Sequence, residues 1–370
     1  MRVLSINCGS SSLKHALFDV DAGSEREVAR GTVERIGELV PDHAAAVHSV
    51  LDELERRGEP QPDAVGHRVV HGGAEHASPA RVDGALLESL RALVPFAPLH
   101  LPAELRVIQA VADRWPDRPQ VACFDTAFHR TLSAIAQRYA LPEALDRQGL
   151  RRYGFHGLSY EYVVSLVGAQ TLGRAVIAHL GNGASMAAVR DGKSVDTTMG
   201  FSPAGGLVMG TRLGDVDPGL LVHWLGLGEG HDAKALDDLV NRRSGLLGIS
   251  GTTADVRDLT ARRERDSRAA LALDVFAWNA RKWVGAMAAA LGGIDTLVFT
   301  GGIGEHAAAM RTAIAHGLEH LGARIDEERN GRHDGVISPD GAVCSVRVVK
   351  TDEERMVARH TGRVASSSRA

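Results

Sequence analysis

Residues 3–18 read VLSINCGSSSLKHALF, and residues 176–189 read VIAHLGNGASMAAV. Each runs from an apolar stretch through a small polar turn containing glycine into a second apolar stretch. That is the pattern of a strand, a tight turn and a returning strand. The same unit in both halves of the chain points to a duplicated domain with a phosphate-facing hairpin in each half. Two unrelated hairpins would look alike at this level as well.

Outward from these two stretches, strand and helix patterns alternate, which predicts an α/β protein. Further strands are expected at 64–70, 120–124, 296–300 and 343–349. Helices are expected over 41–57, closed by Gly58, and over 103–115, with Pro102 at the first helical position. Others are expected from Ser159 to Leu172, over 266–291, over 306–321 and over 353–363, followed by a disordered tail SSSRA. The chain of 370 residues is long enough for two domains, with 44% hydrophobic and 24% charged residues. A net charge of −4 and an aromatic content of 4% argue against nucleic acid as a partner. The most apolar long segment, 269–292, contains Asp274, Arg281 and Lys282, so a buried helix is expected there and no membrane span. Cys8, Cys123 and Cys344 are odd in number and far apart, which fits free thiols in a reducing cytoplasm.

Three glycine turns follow apolar strands: Asn7-Cys8-Gly9-Ser10-Ser11-Ser12, His179-Leu180-Gly181-Asn182-Gly183 and Gly301-Gly302-Ile303-Gly304-Glu305. Glycine lets backbone N–H groups approach an anion closely, and the last turn opens a helix whose dipole favours negative charge. Any one of them is equally a plain tight turn; three together favour a nucleotide. Neither G-x-x-x-x-G-K-[ST] nor a strand-borne G-x-G-x-x-G is present. Lysine occurs only at 14, 193, 234, 282 and 350, so arginine must supply most of the positive charge for phosphate. Arg68, in GHRVVHGG, and Arg212, in GTRLGDVDPG, have glycine neighbours and little packing of their own to do. Asp125 ends an apolar strand, where carboxylates serve catalysis and Mg²⁺ in α/β folds; a helix cap is the structural alternative. His67 and His71 share a strand face without a third ligand at metal spacing. His156, in RRYGFHG, is bracketed by glycines on a shaped loop, with a buried structural histidine as the alternative.

These segments together resemble the acetate kinase family, within the superfamily of acetate and sugar kinases and actin. The segments are INCGSSSLK, GHRVVHGG, APLH, FDTAFH, RRYGFHGLS, HLGNGAS, GKSVDTTMGFSP, MGTRLGDVDPG, SGLLGISG, VFTGGIGE and TDEERMVAR. Any one is weak, but the ordered set runs from residue 6 to residue 359 and is highly specific. The resemblance implies an α/β fold of two duplicated RNase H-like (actin-like ATPase) domains with an active-site cleft between them. The expected division is 1–149 plus 353–370 for the first domain and 150–352 for the second, nucleotide-binding one. It implies reversible phosphoryl transfer from ATP to acetate, giving acetyl phosphate and ADP. Mg²⁺ is the implied cofactor, which Mn²⁺ can replace, and a cytoplasmic homodimer the implied assembly. By the same resemblance Asp125, Arg68, Arg212 and His156 are catalytic. Arg68, Val70, Leu99, His100, Phe155 and Pro203 bind the substrate. Lys14, His179, Asn182, Gly183 and the loop Gly301, Gly302, Ile303 and Gly304 face the nucleotide, and Asn7 and Glu353 belong to the metal.

The chain departs from the family pattern at four places. Tyr160 stands where histidine is usual. Leu101, His306 and Asp352 each stand where asparagine is usual. The alternatives are propionate kinase, which shares nearly all these segments, the more distant butyrate kinase, a pyrophosphate-dependent relative with a changed nucleotide pocket, and a catalytically inactive regulatory member. The retained Arg68, Asp125, Arg212 and Glu353 argue against the last.

Overall fold

The computed structural model describes residues 1–9, 12–21 and 23–367. The chain forms two compact units: the first from Met1–Arg130, Phe155–Tyr162 and Asp352–Ala370, the second from Thr131–Gly154 and Val163–Thr351.

The first unit is built on β1 (Arg2–Cys8), β2 (Ser12–Asp21), β3 (Ser24–Glu34), β4 (Ala64–Val69), β5 (Ala80–Arg81) and β6 (Gln120–Phe124), in the order β3-β2-β1-β4-β6-β5. β1, β2 and β3 form an antiparallel meander, and β4 and β6 add parallel to β1. Parallel strands are covered on both faces and so read as continuous apolar runs, which is why β1, β4 and β6 are legible in the sequence. Helices His43–Arg56 and Leu101–Arg114 cover one face, where Val47, Leu51, Val107 and Val111 pack on Leu4, Ile6, Leu13 and Leu17. Asp42 caps the first of these through the Ala45 N–H at 2.8 Å, and Gly58 follows it at φ +68°. Pro102 occupies the second position of the other helix, which begins at Leu101.

The last helix, Glu353–Ser367, returns to this sheet and packs on its opposite face. It runs four residues beyond the expected 363; Ser368, Arg369 and Ala370 of the tail lie outside the described residues. Gly66 in β4 makes the approach possible: a Cβ there would lie 2.1 Å from Thr361 Oγ1 and 2.6 Å from Val357 Cγ1. The Ser5 hydroxyl in β1 donates to the Glu354 carbonyl at 2.7 Å, fixing where the helix starts.

In the second unit, β7 (Ala175–Leu180), β8 (Ala184–Arg190), β9 (Lys193–Thr197), β10 (Thr296–Thr300) and β11 (Ser345–Val348) are ordered β11-β10-β7-β8-β9. Here too a three-stranded antiparallel meander is extended by two parallel strands. The shared order and directions bear out two duplicated actin-like domains. Helix Ser267–Leu291 packs Leu273, Phe276, Ala280, Val284 and Met287 inward; Asp266 caps it and Gly292, at φ +69°, ends it. Among the described residues no helix is long and apolar enough to cross a membrane.

Two helices differ from expectation. That expected from Ser159 to Leu172 starts at Gly157 and is broken at Gly168, whose φ of +89° cannot continue a helix, before a last turn at Ala169–Leu172. The helix expected over 306–321 begins five residues earlier, directly on β10, as Gly301–His306; it continues as Ala308–Ala315 and a 3-10 turn at Glu319–Leu321.

Filling the Gly66 contact should destabilise the first unit. Forcing extra atoms into a packed core costs about 1–3 kcal/mol, so Gly66→Ala is expected to lower the denaturant midpoint. An unchanged midpoint would show that the closing helix does not depend on this approach.

Candidate active site

β4 and β6 are parallel neighbours, and the register sets Val69 beside Phe124. Arg68 is the penultimate residue of β4 and Asp125 the first residue past β6. Their side chains meet: Nε and Nη2 of Arg68 donate to Oδ1 and Oδ2 of Asp125 at 3.1 and 2.5 Å. Two parallel N–H bonds to one carboxylate are the fork geometry that arginine favours. Asp125 is fully buried and the Arg68 side chain is 12% exposed. Burial pushes the Asp125 carboxyl up to about 6; Arg68 pulls it down and the Glu353 charge adds to the rise. Burial alone would depress the Arg68 guanidinium, but the Asp125 and Glu353 carboxylates hold it above its ordinary range. The carboxylate of Asp125 is engaged by Arg68 and by the His156 N–H, so its role is not that of a helix cap.

Asn7, near the end of β1, joins the same cluster. Its Oδ1 accepts from Arg68 Nη1 at 3.2 Å, and its Nδ2 donates to Glu353 Oε2 and Glu354 Oε1, both at 3.0 Å. Glu353 opens the closing helix, and its Oε2 lies 3.7 Å from Arg68 Nε. The second oxygen of Glu354 accepts from Arg30 Nη1 at 2.9 Å, while Arg30 Nη2 donates to Asp352 at 2.8 Å. Arg30 comes from β3, a polar edge strand, and neither it nor Glu354 was anticipated. Alternation in SEREVARGTVE was the available signal.

The loop after residue 153 sets the floor under Asp125. His156 has φ +59°, a conformation that costs a residue with a side chain and that persists where surroundings enforce it. The Gly157 N–H donates to the Asp125 carbonyl at 2.9 Å. A Cβ on Gly157 would lie 2.1 Å from that same oxygen. Phe155 is buried, its carbonyl accepts from His129 Nε2 at 3.0 Å, and its ring meets the edge of His71 at 5.6 Å. Val70 is buried as well, and its N–H donates to Glu104 Oε2 at 3.1 Å. Leu99 and His100 are half-buried in the turn before helix Leu101–Arg114. Lys14 is exposed on β2, opposite Asn7 in the register. Ser10 and Ser11 of the first glycine turn lie outside the described residues. His67 is bonded to Gln120 at 2.7 Å and burial depresses its ring to about 4, so it is a satisfied core histidine. Among the described residues no group of three or more His, Cys, Asp or Glu side chains is arranged to hold a metal.

The second unit gathers its own set. His179 is buried in β7 between Ser185 and Thr300. The turn Gly181–Gly183 closes with an N–H···O bond of 3.1 Å and leaves Asn182 exposed. Gly301, at φ +75°, runs so close to β7 that a Cβ would lie 2.8 Å from the Leu180 carbonyl. Its N–H and that of Thr351 both donate to Glu305 Oε1 at 3.0 Å. Gly302 is exposed, Ile303 half-buried and Gly304 buried. Fully buried Arg311 donates to the carbonyls of Gly304 and Glu305, both at 2.9 Å, and so anchors the far end of this short helix. Gly210 approaches Asn182 so closely that a Cβ would lie 2.1 Å from its Oδ1. Two residues on, Arg212 Nη1 donates to the Pro203 carbonyl at 3.3 Å. Arg212, Pro203 and Asn182 are thus brought onto adjoining turns.

With this geometry in place, the comparisons are specific. The sequence model of the acetokinase family matches residues 37–359. An acetate kinase of Clostridium botulinum is 42% identical over 400 residues, covering 99% of this chain and 100% of the relative. The crystal structure of Porphyromonas gingivalis acetate kinase matches with a TM-score of 0.88 at 37% identity, covering 98% of this chain and 99% of that one. A propionate kinase from Francisella tularensis matches with the same TM-score at 34% identity and the same coverage.

The Gly157 contact makes a sharp test of the Asp125 placement. Gly157→Ala must push the Asp125 backbone, and a misplacement of about 1 Å can cost roughly 10²-fold in rate. The expected result is a kcat lowered by about that factor with an unchanged circular dichroism spectrum. Wild-type turnover would show that the Asp125 position is not set by this loop.

Proposed function

The chain belongs to the acetokinase family and is a kinase that acts on acetate; from that premise we propose how its residues divide the work. The observation that carries the proposal is the fork between Arg68 and Asp125 at the strand ends, with Asn7 and Glu353 against it. ATP gives its terminal phosphoryl group to acetate directly and in line, yielding acetyl phosphate and ADP. Acetate is already an anionic nucleophile at neutral pH, so no strong general base is needed. What the reaction does need is alignment and charge neutralisation. Arg68 and Arg212 bind the carboxylate and the phosphoryl group in transfer, Asp125 aligns the Arg68 guanidinium, and His156 donates to the phosphoryl oxygens. His100 contacts substrate, and Val70, Leu99, Phe155 and Pro203 receive the methyl group. Lys14, His179, Asn182, Gly183 and the Gly301–Gly304 loop face the nucleotide. Residues 1–149 with 353–370 thus supply Arg68, Asp125, Val70, Leu99 and His100 for the acid, while 150–352 supply most of the nucleotide set together with His156, Phe155, Pro203 and Arg212 for the acid and the phosphoryl group.

Mg²⁺ takes oxygen ligands, usually one or two carboxylates with the rest from phosphates and water. Asn7 Oδ1 and the Glu353 carboxylate, which lie beside Arg68 here, are the oxygens that would hold such an ion. Bound there, Mg²⁺ would neutralise phosphate charge; Mn²⁺ has the same oxygen preference. A homodimer fits helix Pro218–Leu225, which buries none of its residues and exposes Leu220, Val222 and Leu225; apolar patches of this kind mark contact surfaces. Three buried free thiols fit a cytoplasmic location.

Arg68→Ala and Arg212→Ala are each expected to stay folded and to lose roughly 10³–10⁵ in turnover, the scale of an arginine that neutralises a transferring phosphoryl group. Near-normal turnover in either folded variant would remove that arginine from the mechanism.

Among acids, acetate should be preferred over propionate, and propionate over butyrate. One methylene in an apolar pocket is worth about 1–3 kcal/mol, roughly 10–200-fold. Val70→Ala should narrow the gap between acetate and propionate in kcat/KM. A less stable variant with an unchanged acid ratio would place Val70 in the core and not in the pocket.

A further inference from the structure

Glu104 is a buried acid that the chemistry above does not use. It lies in the first turn of helix Leu101–Arg114, on the face that carries Val107, Ile108 and Val111 into the apolar core, and is 2% exposed. Its Oε2 accepts the Val70 N–H at 3.1 Å. Its Oε1 is buried with no hydrogen-bond partner. An ionised carboxylate offers about four acceptor sites, and here one neutral N–H serves them all. In its neutral form Oε2 still accepts the Val70 N–H, and the cost of an O–H on Oε1 without an acceptor is smaller than that of a buried charge with so few partners.

The surrounding charges point the same way. Arg68 on β4 and Asp125 past β6 face Glu104 electrostatically; Cys8 on β1 feels Glu104 in turn, together with Arg68 and Arg106. Arg68 already answers to Asp125 and Glu353. A third anion beside one guanidinium would leave a doubly negative cluster where an anionic acid and a phosphate must approach. Burial, first among the causes, pushes Glu104 up to about 8, against the pull of Arg68 and the Val70 N–H. Cys8, driven up to about 12 by burial, stays neutral over the same range.

We propose that Glu104 is a positioning residue for the carboxylate substrate: in its neutral form it fixes the Val70 N–H without adding negative charge beside Arg68. The inference rests on the assignment of Arg68 and Val70 to the acid site. It has a definite sign. Above its titration Glu104 becomes an anion, competes for Arg68 and repels the incoming acid, so the KM for acetate rises with pH. Glutamine has the shape of the neutral acid, can accept the Val70 N–H through its amide oxygen and cannot ionise.

The experiment is a steady-state series in acetate from pH 6.5 to 9.5 at saturating ATP, on wild type, Glu104→Gln and Glu104→Leu. Wild type should show an acetate KM that climbs roughly tenfold across the alkaline range, the scale of one ionisation of moderate coupling, with the ATP KM moving much less. Glu104→Gln should keep the neutral-pH KM to within about twofold and lose the climb. Glu104→Leu leaves the Val70 N–H without an acceptor and should raise the acetate KM at every pH. A glutamine variant that climbs as wild type does, or a folded leucine variant with wild-type KM, overturns the inference and leaves the functional assignment standing. Wild type without acetate turnover overturns the assignment and this inference together.

Discussion

One guanidinium ties the first unit together at its working edge. Arg68 reaches Asp125 from a neighbouring strand, Asn7 from the central one and Glu353 from a helix 285 residues further along the chain. Each partner comes from a different element, so the cluster forms only once the sheet and the closing helix are both in place. Removing the arginine would leave buried Asp125 without its cation, which is far more costly than the pair is favourable. The arrangement is therefore a poor device for stability, and it concentrates charge at the ends of the parallel strands.

The two sheets share one topology and differ in what stands at the ends of their strands. In the first sheet Ile6 pairs with His67, and in the second His179 pairs with Thr300. β1 and β7 turn into their hairpins after Cys8 and Leu180, so Arg68, one place past His67, stands at the level of Thr300. Where the first copy carries a guanidinium next to the strand end, the second passes from Thr300 to a glycine at φ +75° and turns at once into a helix. A side chain that carries charge and a backbone that exposes N–H groups are alternative ways to receive an anion at a strand end. The Glu305 carboxylate, which accepts from Gly301 and Thr351, takes up part of the N–H inventory that this tight entry creates.

The strands that lie between others were legible because burial on both faces demands unbroken apolar runs. β3 was not, since SEREVARGTVE is an edge strand whose polar residues face outward and lace to the closing helix: Glu25 to Arg359 and Arg30 to Glu354. The helices Gly84–Ala92 and Ala233–Arg242, few or none of whose residues are buried, were not read, although the second is clearly amphipathic in sequence. At the site, Arg68, Asp125, Asn7 and Glu353 were named and do meet. Glu104 was overlooked, although a charged residue in line with Ile108 and Val111 at helical spacing is a visible conflict with the apolar face. Its partner, a backbone N–H on another element, leaves no mark in the sequence.

The departures from the family pattern are explained by partners inside the same unit. Asp352 accepts from Arg30 and from the Arg355 N–H, so the acid that replaces asparagine also caps the closing helix and is neutralised from β3. Tyr160 is fully buried between Phe128 and His129, at ring distances of 5.9 and 5.6 Å; it fills core volume. Leu101 is buried and begins its helix without a polar side chain. His306 is exposed, with its ring 6.4 Å from that of His333. Three of these four substitutions are absorbed by packing or by a compensating charge within reach. A change absorbed locally has no need to propagate to Arg68 or Asp125, whose fork is intact beside all three.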